Sequence, residues 1–258
     1  MLRRWLLRNY AGVVRASVRH GRAFHKGKQV LMFRKILFSA LAAAAFWACN
    51  SPVEPPDAGR LGHDFFPLET GRQAMYDVQR IVYKLGSRPD TQRYQLRETV
   101  ADTFTDLSGQ AAFKIHRFLR ANARANWRLD SVWTAKRTAY TALRTENNVG
   151  FVKLSFPPRE KLAWNGNAYN DFPVEMYEIR DFDRPFRMAD TVFRQTLKVF
   201  QKEDSSGVAN VRRVEVYARG AGLIERTNLD VKYDQRDFGS GRIESGVDYV
   251  QRLAGSGK

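Results

Sequence analysis

"LRANARANWRL", residues 119–129, admits two readings, and the choice between them sets the fold. Arg120, Arg124 and Arg128 recur every four residues, as side chains on one face of a helix do. Leu119, Ala121, Ala123, Ala125, Trp127 and Leu129 alternate with polar residues, as side chains on a strand do. The alternation holds at every position and the helical spacing at three, so period two prevails. With "AAFKIHRFL" (Ala111–Leu119) before it and "WRLDSVWTAK" (Trp127–Lys136) after it, Asn122–Asn126 reads as the turn of a hairpin.

The same period extends in both directions. "MYDVQRIVYKL" (Met75–Leu85), "YQLRETV" (Tyr94–Val100), "TAYTALR" (Thr138–Arg144) and "VGFVKLSF" (Val149–Phe156) read as strands. So do "VEMYEIRDF" (Val174–Phe182), "TVFRQTLKVFQ" (Thr191–Gln201), "VRRVEVYA" (Val211–Ala218) and "GLIERTNLDVKY" (Gly222–Tyr233). Glu146-Asn147-Asn148 is a strong hairpin signal, because Asn tolerates positive φ. Ile243, Val247, Val250 and Leu253 have helical spacing, but Gly246 and the glycines before it weaken a helix, so that segment stays open between the two. About ten short, closely spaced strands predict a mainly β domain with antiparallel meander topology. A sheet of that size must curl or double up to hide its apolar face and its edges. The expectation is a curved antiparallel sheet or partly open barrel; the alternative is a two-sheet sandwich. Large aromatics at Trp127, Trp133, Phe151 and Phe193 suit either.

The formal net charge of +16 is misleading about partners. Residues 1–48 contain ten Lys or Arg and no Asp or Glu, which leaves +6 for residues 49–258. A phosphate-tracking surface needs cations clustered on the folded domain, so no nucleic-acid partner is expected. Cys49 is the one cysteine, which excludes an internal disulfide. The core must suffice without staples, and a monomer is expected.

The stretch "MFRKILFSALAAAAFWACNSP" (Met32–Pro52) explains where that cysteine lies. Arg34 and Lys35 form a positive n-region. Ile36–Trp47 is a run of 12 residues with Ser39 as its one polar member, too short to span a bilayer and right for a signal-peptide h-region. It ends in Phe46-Trp47-Ala48-Cys49. This resembles the lipobox of bacterial lipoproteins, from which it departs at Phe46 and Trp47, where Leu and a small residue are commonest. The resemblance implies cleavage before Cys49, acylation of its thiol, and stable attachment through several acyl chains. "NSPVEPPDAGRLG" then reads as a tether. Residues 1–31 are taken as an upstream extension before a start at Met32, 32–48 as the signal peptide, 49–64 as the flexible tether and 65–258 as a single β-rich domain. The alternative for the Arg-rich leader is a mitochondrial transit peptide. No compact acidic run follows Cys49, so the expected location is the outer membrane, facing the periplasm. The run Tyr217–Leu223, "YARGAGL", resembles the last strands of uncharacterised β-rich lipoproteins of Bacteroidota. Read from its residues, it is a glycine-relieved turn or bulge at Gly220 and Gly222.

Motifs for chemistry are scarce. There is no Gly-x-Ser-x-Gly elbow, no phosphate-cradling loop and no His-Glu-x-x-His. After Cys49 only His63 and His116 remain, which is a poor set for zinc or for a triad, so no cofactor or metal is expected. Glu175, Glu178, Asp181 and Asp183 form an acidic cluster interleaved with Arg180, Arg184 and Arg187. Mutual pairing is the plain explanation; an Asp181/Asp183 hydrolase is the alternative. The most distinctive loop is "AWNGNAYND" (Ala163–Asp171), where Trp164, Asn165, Asn167 and Tyr169 offer the aromatic and amide groups of a glycan, peptide or lipid-headgroup site. They serve equally to pin a tight turn to the core. The sequence therefore predicts a lipid-anchored envelope domain, attached to the membrane through Cys49, that binds or supports rather than catalyses.

Overall fold

The computed structural model describes residues 57–257. The readings made for residues 1–56, Cys49 and the signal peptide among them, lie outside the described residues. The domain opens with a single helical turn, α1 (Ala58–Leu61), and a 3-10 turn (His63–Phe65). Twelve strands follow: β1 (Gln73–Tyr83), β2 (Asp90–Thr105), β3 (Ala111–Arg120), β4 (Arg128–Arg137), β5 (Thr141–Glu146), β6 (Val149–Ser155), β7 (Ala163–Asn165), β8 (Met176–Met188), β9 (Thr191–Ser205), β10 (Ala209–Ala218), β11 (Gly222–Tyr233) and β12 (Ile243–Gly257).

All twelve belong to one sheet in the order β6-β5-β4-β3-β2-β1-β12-β11-β10-β9-β8-β7, with every pair antiparallel. Two six-stranded meanders are thus joined by the β1–β12 ladder, which runs from Gln73↔Gly257 to Tyr83↔Gly246. The two edge strands, β6 and β7, are consecutive in the chain and meet again. Val152 N–H donates to Gly166 O at 2.9 Å, and the Trp164 indole N–H donates to Val152 O at 2.8 Å. The sheet is therefore a nearly closed barrel, as the strand pattern predicted, and not a sandwich.

Local chemistry accounts for the hairpins. Asn147 and Asn148 have φ of 50° and 67°, the paired positive values that a two-residue hairpin turn requires. In the "LRANARANWRL" stretch, β3 ends at Arg120 and β4 begins at Arg128, with the turn between them. The open segment at the end of the chain is a strand. Gly246, with φ of 135°, lets β12 cross close over β11: a Cβ there would lie 2.2 Å from Asp230 O. The spacing of Ile243, Val247, Val250 and Leu253 gave no helix because both sides of β12 are occupied by ladders.

Hairpin turns alternate between the two ends of the barrel. The turns β2–β3, β4–β5, β6–β7, β8–β9 and β10–β11 share an end with the start of β1. This entry end is plugged by the segment before β1. Phe65 is fully buried, in one cluster with Phe66, Ile115, Trp133, Leu154, Ile179, Leu197 and Tyr217. Arg219 donates to Asp64 Oδ1 at 2.7 Å and Gly59 O at 2.9 Å, and Arg137 donates to His63 O and Phe66 O. Residues 58–64, assigned to the tether from their Pro/Gly-rich surroundings, are folded onto the barrel by these arginines.

Gly246→Ala tests the close crossing. Positive-φ strain and the displaced β11 backbone should lower the thermal midpoint by roughly 5–15 °C, measured by circular dichroism.

Candidate functional site

Beyond the apolar plug, the interior is filled by ion pairs. Glu98 on β2 accepts from Arg117 Nε at 3.1 Å and from Arg144 Nη2, and the Arg117 guanidinium lies 3.6 Å from the Trp133 ring centre. Glu215 on β10 is 1% exposed. Lys153 Nζ of β6 is 2.6 Å from its Oε1, Arg226 Nη2 of β11 is 2.8 Å from the same atom, and Tyr217 O–H donates to its Oε2 at 2.6 Å. Glu146 at the end of β5 takes Arg226 at 2.8 Å and Lys153 at 3.5 Å. Arg144 Nε, 3.7 Å from Glu146, links the two groups. Three of these contacts, Glu98–Arg144, Glu215–Lys153 and Glu146–Arg226, run across the barrel between strands that are not neighbours in the sheet; Glu98–Arg117, Glu215–Arg226 and Glu146–Lys153 join neighbours.

The electrostatics follow from this pairing. Burial alone raises a carboxyl. At Glu98 the guanidiniums of Arg144 and Arg117 more than reverse that, and it lies below its ordinary value. Glu146 is lowered likewise, by Arg226, Lys153 and Arg144 against burial. Glu215 is lowered by Lys153 and Arg226 against burial and against Glu146. Burial and the Glu215 charge push the Tyr217 and Tyr177 hydroxyls up, so both are neutral, and Tyr217 donates to Glu215.

At the far end, opposite α1, the network borders a hollow of about 220 Å³. Glu146, Lys153, Glu215 and Arg226 lie along it, with Glu175 and Arg213, so its formal charges balance. Phe151, Phe172 and Tyr177 supply aromatic wall, and Asn167, Thr227 and Asn228 supply neutral polar groups. Gln201 also lines it. Its side chain is buried, and its Nε2 has no hydrogen-bond partner among the described residues. A buried amide donor without a partner is costly unless something accepts from it.

The distinctive loop forms part of this end. Asn165 Oδ1 accepts from the backbone of Asn167 and Glu175, and Asn167 Nδ2 donates to Pro173 O at 2.7 Å. Asn167 borders the hollow. Trp164 does not: its ring packs edge-on against Tyr177, and its N–H holds the β6–β7 seam. Tyr169 is exposed. Asp181 and Asp183 sit on an exposed kink of β8 with φ of 55° and 56°. Asp181 pairs with Lys198 at 2.6 Å, and Asp183 accepts from Gln195. His116 packs near Phe118, and His63 lies against Phe156 in the plug. No group of three or more metal-ligating side chains occurs among the described residues.

The interior charges escape a sequence reading because alternation marks one polar face without saying whether water reaches it. In "VRRVEVYA", Val214, Val216 and Ala218 take one face, and Glu215 and Tyr217 take the other, yet all five are buried. The β8–β9 hairpin supplies the cover: Phe186 and Phe193 pack on Val216, Ala218 and Ile224.

No known protein family matches the chain, and no curated protein matches it. Among solved structures it is similar to a protein of Parabacteroides distasonis named provisionally as a lipoprotein. The two are 14% identical with a TM-score of 0.39, over 75% of this chain and 98% of that one. The site is accordingly read from its own chemistry.

Two outcomes are expected. Trp164→Ala should destabilise the barrel by about 2–4 kcal/mol, and Trp164→Phe, which keeps packing and loses the seam hydrogen bond, by about 1 kcal/mol, both by denaturant unfolding. The lowered carboxyls bind protons more readily in the unfolded chain, so their contribution is full above the ordinary value of 4.5 and is lost as pH falls below it. Unfolding free energy should drop between about pH 5 and 3, and Glu215→Gln should reduce that slope.

Proposed function

We propose that this chain is a lipid-anchored protein of the bacterial envelope whose barrel holds a small, uncharged or zwitterionic polar ligand in the hollow at its far end. The observation that carries the ligand reading is Gln201: a buried neutral amide donor with no partner among the described residues, bordering a hollow whose charged side chains are paired with one another, although Arg226 Nε also lacks a hydrogen bond. Balanced wall charges disfavour a net ionic ligand, because every cation there already has a carboxylate. The aromatic wall formed by Phe151, Phe172 and Tyr177 suits the apolar face of a sugar ring or an amino-acid side chain. At about 220 Å³ the hollow suits one such unit and not a polymer.

The anchor reading rests on the h-region Ile36–Trp47 and its junction with Cys49. The described residues begin at the plugged end, the opposite end from the hollow. The outer membrane, on its periplasmic side, is the location this reading takes.

Mass spectrometry of the membrane fraction should find an acylated Cys49 as the mature N-terminus; an unmodified Cys49 in a soluble protein would reject the anchor. Separately, thermal shift against a panel of neutral monosaccharides and amino acids should raise the midpoint for at least one compound. Gln201→Leu, which removes this amide donor, should abolish that rise without lowering the unliganded midpoint. A panel without effect, or an unchanged response in Gln201→Leu, rejects the ligand reading.

A further inference from the structure

A second place in the molecule lacks a partner, and it lies on the opposite side of the sheet. Arg97 stands between Leu96 and Glu98, which are buried in the interior, so its side chain leaves the outer face. Its Cζ lies 4.7 Å from the ring centres of both Phe118 and Trp127, and Arg120 Cζ lies 4.3 Å from the Trp127 ring centre. Two guanidiniums therefore share one indole. Arg120 spends its N–H groups on Gln95 Oε1 at 2.7 Å, Ala123 O at 3.2 Å and Met75 S at 3.8 Å. The Arg97 side chain has no hydrogen bond or ion pair among the described residues, and its Nε is buried without a partner.

The surrounding charges leave the pair uncompensated. Asp77 is the carboxylate of this face that approaches, through Gln95: it accepts from the Gln95 amide at 2.8 Å, which places a neutral group between it and Arg120. Arg252, beside Asp77 in the β1–β12 ladder, is itself paired with Glu225 at 2.8 Å. Arg97 and Arg120 border a common hollow of about 380 Å³ with Trp127, Met75, Gln73 and Ser256. Among the described residues no carboxylate lines it.

From this geometry we infer that the Arg97–Trp127–Arg120 stack is a phosphate-binding site. Stacking on aromatic faces fixes the planar forks, and the Arg97 Nη groups, without a partner among the described residues, are left for an oxyanion, with Arg120 beside them as a second cation. A carboxylate carries one charge on two oxygens. Inorganic phosphate or a phosphomonoester carries up to two charges on three or more unesterified oxygens, enough to engage Arg97 and still meet a free Arg120 N–H or the Ser256 hydroxyl. The phosphate is either free inorganic phosphate or the phosphomonoester of a lipid headgroup. The site is separate from the interior hollow and does not rest on the reading given to it.

Isothermal titration calorimetry of the full chain tests this at constant ionic strength, with inorganic phosphate and with water-soluble dihexanoyl phosphatidic acid as probes. Saturable heat is expected with at least one probe, and the tighter of the two identifies the source. Arg97→Gln should weaken that binding at least tenfold. Arg97→Lys keeps the charge but loses the fork and the stacking, and should weaken it several-fold; it carries the test if the Gln variant fails to fold by circular dichroism. Absence of saturable heat with both probes, or equal affinity in the folded Arg97 variants, overturns the inference.

Discussion

Glu215 is a carboxylate in the middle of a barrel, 1% exposed, and its compensation comes from two directions at once. Lys153 reaches it from β6 and Arg226 from β11, strands on either side of the seam. An ionised group so deeply buried is tolerable only if its partners are in place and its remaining lone pairs are filled, as Tyr217 does here. The requirement therefore fixes the distance across the lumen. It also orients Arg226 so that it serves Glu146, and through Arg144 it reaches Glu98. The ladders define which strands are neighbours; this chain of charges defines how far apart the non-neighbours stand.

The fold was readable from period two because strand alternation survives whatever covers the faces. Ten strand segments, the Asn147-Asn148 hairpin and the partly open barrel were all present in the pattern. β7 was not, because three residues, Ala163–Asn165, carry no periodicity; they pair because β8 and the seam hold them. β12 was ambiguous because Gly246 weakens either regular structure, and the reason for that glycine, a backbone crossing, is a tertiary fact. Residues 58–64 looked like linker because proline and glycine surround them, and what orders them, Arg219 and Arg137, lies far along the chain.

The candidate site was less legible. Asn167 was reached through its loop, but the residues that give the hollow its character come from β5, β6, β9, β10 and β11, each seen in sequence as one polar position on a half-buried strand. Arginine is ambiguous in the same way. Arg97, Arg144 and Arg226 are all single arginines at alternating positions, yet one is stacked without a counter-charge and two are enclosed by carboxylates. Cross-barrel register, invisible in one dimension, decides which.

The placement of the two ends of the sheet has a kinetic consequence. The first and last strands meet at its centre, while the free edges are consecutive strands in mid-chain. Each six-stranded half is built from hairpins with short connections, so each can form by local steps. The β1–β12 ladder is the one pairing whose partners lie more than 160 residues apart, from Tyr83↔Gly246 to Gln73↔Gly257. Closing that loop is the slow, entropically expensive event, and it comes after β12 has been made. Until then both β1 and β11 present a full-length unpaired edge. A chain halted before β12 is thus two sticky half-barrels rather than a slightly shorter barrel.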